Sequence, residues 1–200
     1  MGPRGVFVAG RHRVLTPLDT DMNGAIDHAL RIPGWTSRIE LEWLHASAAG
    51  LGLAVELGAW MGRSTVALSS ARGVLSVDNW EGSPEHAGMV PPDLFDRWLE
   101  NSGRYASVLP GFRCDLSDAL RVGELLASYG GRAGMVFVDA SHDRASVARD
   151  IGIARRLLVR GGLLCGHDMC DAWPGVMAAV DECVPGWGRV PDTTIWRSVV

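Results

Sequence analysis

The stretch Leu53 to Thr65, L-A-V-E-L-G-A-W-M-G-R-S-T, constrains the fold more than any other part of this 200-residue chain. Apolar Leu53, Ala54 and Val55 run into an acid, Glu56. Two glycines follow, Gly58 and Gly62, before Ser64 and Thr65 open a helical pattern. This is the pattern of a buried strand, a tight turn and a helix start, the unit with which open α/β sheets hold nucleotide-like ligands. Gly58 provides a sharp turn that a Cβ would obstruct, and Gly62 lets the next helix begin close to ligand and sheet. A glycine turn between any buried strand and helix reads the same way, so the surrounding pattern has to decide.

That pattern alternates. Gly73 to Val77 reads as a second buried strand ending in Asp78, about 20 residues after Glu56, the distance at which a strand-end acid meets ribose hydroxyls. Val108 to Phe112, interrupted by Pro110, is a third strand. Gly134 to Val138 is a fourth, ending in Asp139, and Gly161 to Gly166 a fifth, ending in His167 and Asp168. Helical spacing occupies Arg63 to Ser70, Asp93 to Ser102, Ser117 to Tyr129, Arg144 to Leu158 and Pro174 to Val184. Arg189 to Val200 reads as a closing hairpin whose last strand is Thr193 to Val199. Upstream, Ser37 and Glu40 have capping-box spacing ahead of a helix of about three turns that ends at Gly50 or Gly52. Residues 1–32 show no period and read as loop. The expectation is an α/β fold: a doubly wound, mostly parallel sheet with helices on both faces.

Composition excludes several classes. The net charge of −4 leaves no basic footprint for nucleic acid. No apolar run is long enough for a membrane span, and the first ten residues lack the apolar core of a signal peptide. All nineteen basic residues are arginine, so a general base must be some other residue type than lysine. Four cysteines without C-x-x-C spacing fit a reduced, cytoplasmic setting.

In a doubly wound sheet the strand-end residues Glu56, Asp78, Asp115, Asp139, His167 and Asp168 share one rim. Asp139, His167 and Asp168 come from adjacent strands and form a candidate set for Mg²⁺ or another divalent metal. His142, three positions beyond Asp139, is a candidate general base. Alternatives stay open: His142 can pair locally with Asp143 or Asp150, and His167 can be a hydrogen-bonding wall residue with no metal. Trp60, Trp80 and Trp173 are candidate pocket walls.

Taken together, V-E-L-G-A-W-M-G-R-S-T, V-D-N-W-E-G, V-F-V-D-A-S-H, G-G-L-L-C-G-H-D, P-G-V and T-I-W-R resemble the class I S-adenosylmethionine-dependent methyltransferases. The likeness is to the small-molecule O-methyltransferase branch, of the catechol and macrolide-sugar kind, and it covers residues 32–200. It implies a Rossmann-like sheet of seven strands with an antiparallel last strand. Residues 1–31 become a lid or subunit-contact segment, which leaves a homodimer open. S-adenosylmethionine would be held by Glu56, Gly58 and Gly62 at its methionine end, with Thr36 or Ser37 on the carboxylate. Asp78 would bind the ribose, Trp80 would lie near the adenine, and Asp115 and Leu116 at the adenine edge. Ser64, Asn79 and Asp139 belong to the same cofactor-binding set. In metal-dependent members the metal falls on Asp139, His167 and Asp168, and the base on His142, with Asp139 beside it in the catalytic pair. One departure matters: His167 stands where such members carry an acid, so one negative charge is missing.

The expected activity is methyl transfer to a hydroxyl of a small molecule, sugar or phenolic. Metal-free transfer to nitrogen or oxygen is one alternative, and a non-catalytic binding protein on the same fold is another. A nicotinamide-dependent oxidoreductase would need the absent G-x-G-x-x-G.

Overall fold

The computed structural model describes residues 21–200. Its elements run α1 (Met22–Ala29), α2 (Arg38–Ala48), β1 (Ala54–Leu57), α3 (Arg63–Leu68), β2 (Val74–Asp78), α4 (Leu94–Ser102) and β3 (Phe112–Arg113). They continue with α5 (Ala119–Tyr129), β4 (Ala133–Val138), α6 (Arg144–Leu157), β5 (Leu158–Gly166), α7 (Pro174–Cys183), β6 (Gly188–Arg189) and β7 (Trp196–Val199).

The strands form one seven-stranded sheet in the order β3-β2-β1-β4-β5-β7-β6. All neighbours from β3 to β5 are parallel, and β7 runs antiparallel between β5 and β6. The chain therefore builds outward from β1 in one direction, returns to β4 beside β1, and builds in the other. That reversal opens a crevice at the carboxyl ends of β1 and β4, where ligands of such sheets bind.

Burial explains why the central strands are continuous apolar runs. Ala54 and Val55 are both fully buried, yet they belong to different layers. Ala54, Val74, Met135 and Phe137 pack with helices α1 to α4, while Val55, Leu75, Val136 and Leu164 pack with α5, α6 and α7. A sheet covered on both faces has no solvated side on which polar residues would alternate.

Three local expectations are corrected. Residues 22–29, read as loop, form α1: Asp21 accepts from the Asn23 N–H, and Ala25, Ile26 and Ala29 join the first apolar layer. The first twenty residues of the expected lid or subunit-contact segment lie outside the described residues. The third strand shrinks to Phe112–Arg113, and Val108 makes a single bridge to Val74, because Pro110 has no N–H to give a ladder. The last strand begins at Trp196 rather than Thr193. The capping box is present: Ser37 accepts from the Glu40 N–H, and the Glu40 carboxylate accepts from the Ser37 N–H at 2.7 Å. Among the described residues no helix is long and apolar enough to cross a membrane.

Candidate functional site

A cavity of about 430 Å³ opens at the crevice between β1 and β4. Thr36, Gly58, Ser64, Asp78, Asn79, Asp115, Leu116, Asp139, His142, His167 and Asp168 line it, so most of the predicted rim residues do converge. Ser37, Glu56, Gly62 and Trp80 do not line it.

The turn after β1 is built around Asp78. Oδ2 of Asp78 accepts the N–H of Ala59 at 2.7 Å and of Trp60 at 3.0 Å, and Oδ1 accepts the N–H of Trp80 at 2.7 Å. Trp60 and Trp80 are both left-handed, at φ +47° and +55°. Bulky residues adopt that conformation only when their surroundings hold them there, at about 1–3 kcal/mol each. Asp78 grips both. Three of its roughly four acceptor positions are taken, which leaves about one for a ligand hydroxyl. Gly58 is also left-handed, at φ +92°, and a Cβ on it would lie 2.6 Å from the Ala140 Cα. The turns after β1 and β4 are thus in direct backbone contact.

Residues outside the lining have other work. Glu56 is fully buried and accepts from Ser64, Thr65 and Ser76, tying β1 to α3 and β2. Burial pushes its carboxyl up to about 7. Gly62 caps α3 and approaches α4 rather than a ligand: a Cβ there would be 3.2 Å from Trp98 Cδ1. Trp80 turns into the apolar layer, edge-on to Phe95 at 4.8 Å and tilted against Trp98 at 5.0 Å. Ser37 is occupied as the N-cap of α2.

The acid and imidazole groups form a chain across the cavity floor. Nε2 of His142 lies 2.9 Å from Asp168 Oδ2, and its ring stacks on Trp173 with centroids 3.9 Å apart. His142 Nδ1 is buried without a hydrogen-bond partner, 4.0 Å from Glu85 on the 3-10 turn Pro84–His86. Nδ1 of His167 lies 3.2 Å from Asp168 Oδ1 and 3.8 Å from Asp139 Oδ1, and Nε2 lies 3.3 Å from Glu40 Oε2. Burial disfavours charge on His167, but the three carboxylates outweigh it and hold the ring protonated, up to about 11. Burial also works against the Glu40 and Asp168 carboxylates. Their imidazole partners prevail and hold both well below the usual range. Desolvation pushes Asp139 in the opposite direction, upward.

This arrangement bears on the expected metal. The ligand atoms of Asp139, His142 and Asp168 lie within 4.8 Å of one another, and His167 is not in that set. The two carboxylates already face the His167 cation, and His142 is already bonded to one of them. Mg²⁺ needs near-octahedral oxygen ligation; two carboxylates beside a fixed positive charge do not fit it.

Sequence reasoning missed Trp35, Arg63, His86 and Arg149, all of which line the cavity. Trp35 stacks on His86 at 4.7 Å, and Trp60 tilts against His86 at 5.4 Å, forming an aromatic wall. The signal for Arg63 was its place at the helix start directly after the glycine turn.

The sequence family described as a methyltransferase domain matches residues 55–169. No curated protein sequence gives a significant match. Solved structures similar to this chain include an O-methyltransferase from Bacillus cereus in complex with SAH, at 16% identity, 94% coverage of each chain and a TM-score of 0.55. A TDP-rhamnose 3'-O-methyltransferase of calicheamicin biosynthesis, in its apo form, is 12% identical, with 89% of this chain and 76% of that one covered and a TM-score of 0.51. A tRNA methyltransferase from Aquifex aeolicus is 11% identical, with 86% and 73% covered and a TM-score of 0.60. At these identities the likeness is one of fold.

Proposed function

Since the chain belongs to the methyltransferase-domain family, we propose that it transfers a methyl group from S-adenosylmethionine to a hydroxyl of a small molecule, with His142 as general base. The observation that carries this reading is the single cavity faced by Gly58, Asp78, Asp115 and the His142–Asp168 pair. The nucleoside would lie along Asp78, Asn79, Asp115 and Leu116, with its amino-acid end toward the Gly58 turn. Two O-methyltransferases among the similar structures support the choice of oxygen.

In the transfer, the hydroxyl oxygen forms a bond to the methyl carbon as the carbon–sulfur bond breaks. The electron pair returns to sulfur, and the hydroxyl proton passes to His142. Little chemistry is asked of the protein beyond alignment and proton removal. Asp168 facing Nε2 favours the tautomer with the proton there, which makes Nδ1 the basic atom. The Trp173 stack fixes the ring plane.

Calorimetric titration with S-adenosylhomocysteine tests the cofactor. A dissociation constant in the micromolar range, about 8 kcal/mol of binding free energy, is expected; absence of binding overturns the reading.

The pH dependence tests the base. Burial alone would lower the His142 pKa, but the Asp168 hydrogen bond and charge outweigh it, and the net shift is upward. A base must be unprotonated, so turnover is expected to fall as pH drops through a midpoint above 6.5. In Asp168→Asn that midpoint should move to lower pH. An unmoved midpoint would remove Asp168 as the orienting partner.

A further inference from the structure

Resting on the methyl-transfer reading for its part in the reaction, we infer that the His167 ring, braced by Glu40, fills the place of a divalent metal on the cavity floor and does the positioning there in its stead. Ligand atoms of Asp139, His142 and Asp168 lie within 4.8 Å of one another, but they are already engaged. Asp168 spans two rings, with Oδ2 2.9 Å from His142 Nε2 and Oδ1 3.2 Å from His167 Nδ1. Asp139 Oδ1 lies 3.8 Å from the same His167 nitrogen. Among the described residues no arginine pairs with either carboxylate, so the counter-charge on the floor comes from imidazole.

The far side of the ring shows why it keeps this place. Nε2 faces Glu40 Oε2 at 3.3 Å, an ion-pair contact. Glu40 cannot turn away. It accepts from the Ser37 N–H and hydroxyl at 2.7 and 2.8 Å, and from the Thr194 N–H and hydroxyl at 2.9 and 3.0 Å. The ring also meets Phe137 edge-on, with centroids 6.4 Å apart, and the main-chain N–H of His167 donates to the Val138 carbonyl at 3.1 Å. Ionised carboxylates only accept hydrogen bonds. A ring with Glu40 at one nitrogen and Asp168 at the other therefore keeps hydrogen on both, and its Nδ1 has no lone pair to offer a metal.

His167 holds Asp139 and Asp168 from one side, and through Asp168 it fixes the group that orients His142. It is thus a positioning residue, acting on the base through a carboxylate. An incoming Mg²⁺ or Mn²⁺ would meet the ring's positive charge at close range. With His167 only 7% exposed, water screens that repulsion little.

Titration with Mn²⁺, an ion that prefers carboxylate oxygens, tests this through the paramagnetic resonance of the free ion. The wild-type protein is expected to leave Mn²⁺ free, with a dissociation constant weaker than about 1 mM. His167→Asp removes the ring and supplies a third carboxylate. It should bind Mn²⁺ at least about tenfold tighter, and adding Asp168→Asn should abolish the gain. His167→Gln removes the charge and offers a carbonyl oxygen. It should gain in the same direction, and it gives the readout if the aspartate variant does not fold. Wild-type binding tighter than about 1 mM overturns the assignment without any variant, and so does the absence of a gain in the His167 variants. Calorimetry with S-adenosylhomocysteine separates this assignment from the reading it rests on. Binding is expected in the presence of a chelator. Failure to bind both with chelator and with Mn²⁺ would overturn the methyl-transfer reading, while the Mn²⁺ titration still decides whether His167 fills the metal's place.

Discussion

Gly58→Ala is expected to destabilise the protein by about 2–5 kcal/mol and to weaken S-adenosylhomocysteine binding at least tenfold. Two costs combine. At φ +92° an L-residue pays about 1–2 kcal/mol for the left-handed conformation. The added Cβ would also overlap the Asp139 carbonyl and crowd the Ala140 Cα, and overpacking of this kind costs about 1–3 kcal/mol. The affinity loss has a separate origin. The turns after β1 and β4 both line the cavity, so pushing them apart displaces Asp139 from Ala59 and Trp60. Gly88→Ala is the control: φ is +87°, but nothing lies within 4 Å of the new Cβ, so only the conformational cost remains. Chemical denaturation of both variants separates the two contributions. Equal destabilisation would show that the contact with the β4 turn carries no strain.

Glu40→Ala is expected to cost about 3–5 kcal/mol, the range for removing one partner of a buried ion pair. Glu40 is 4% exposed and serves three parts of the chain. It accepts from the Ser37 N–H and hydroxyl, from the Thr194 N–H and hydroxyl, and it faces His167 Nε2 at 3.3 Å. Its loss leaves the His167 proton against Asp168 and Asp139 alone. Ser37→Ala removes only the cap and should cost about 1 kcal/mol. The pH dependence follows from His167, whose folded pKa is raised to about 11 from 6.5. A raised imidazole contributes fully below pH 6.5 and loses its contribution as pH climbs toward 11. The gap between wild type and Glu40→Ala should therefore be widest between about pH 4.5, the ordinary value of the lowered Glu40 carboxyl, and pH 6.5, and should narrow as pH climbs toward 11. A gap that does not change with pH would mean that His167 is not charged.

What was legible in the sequence follows the range of the interactions. The β1 turn and the capping box are local and fall where the pattern placed them, and the order of strands and helices holds, although β3 is shorter, β5 opens at Leu158, read as the end of a helix, and β7 starts later. The closing hairpin was legible in the residues, and the family likeness agreed with it by implying a seven-stranded sheet whose last strand is antiparallel. The helix at Met22–Ala29 was hidden by its Gly24 and by a short apolar set, Ala25, Ile26 and Ala29, that gains meaning only against α2 and α3. In the site, a strand-end position predicted closeness to the cavity but not direction. Asp139, His142, His167 and Asp168 do meet. Which imidazole faces which carboxylate depends on Glu40, whose sequence distance from His167 no local pattern can bridge. Likewise Trp80 sits beside Asp78 in sequence but faces α4, because its left-handed backbone turns the ring inward.

Those two left-handed tryptophans bear on how the protein can be improved or can drift. Glycine at position 60 or 80 would relieve about 1–3 kcal/mol of backbone strain, but at position 80 the loss of a buried indole, about 3–5 kcal/mol, outweighs it, so a selection for heat resistance alone would reward the change only at position 60. At position 60 it would also remove a wall of the cavity, and at position 80 a buried ring of the first apolar layer. Variants screened only for melting temperature should thus accumulate glycine at 60 as the binding wall is lost. Ligand retention has to be part of the screen if both properties are to survive.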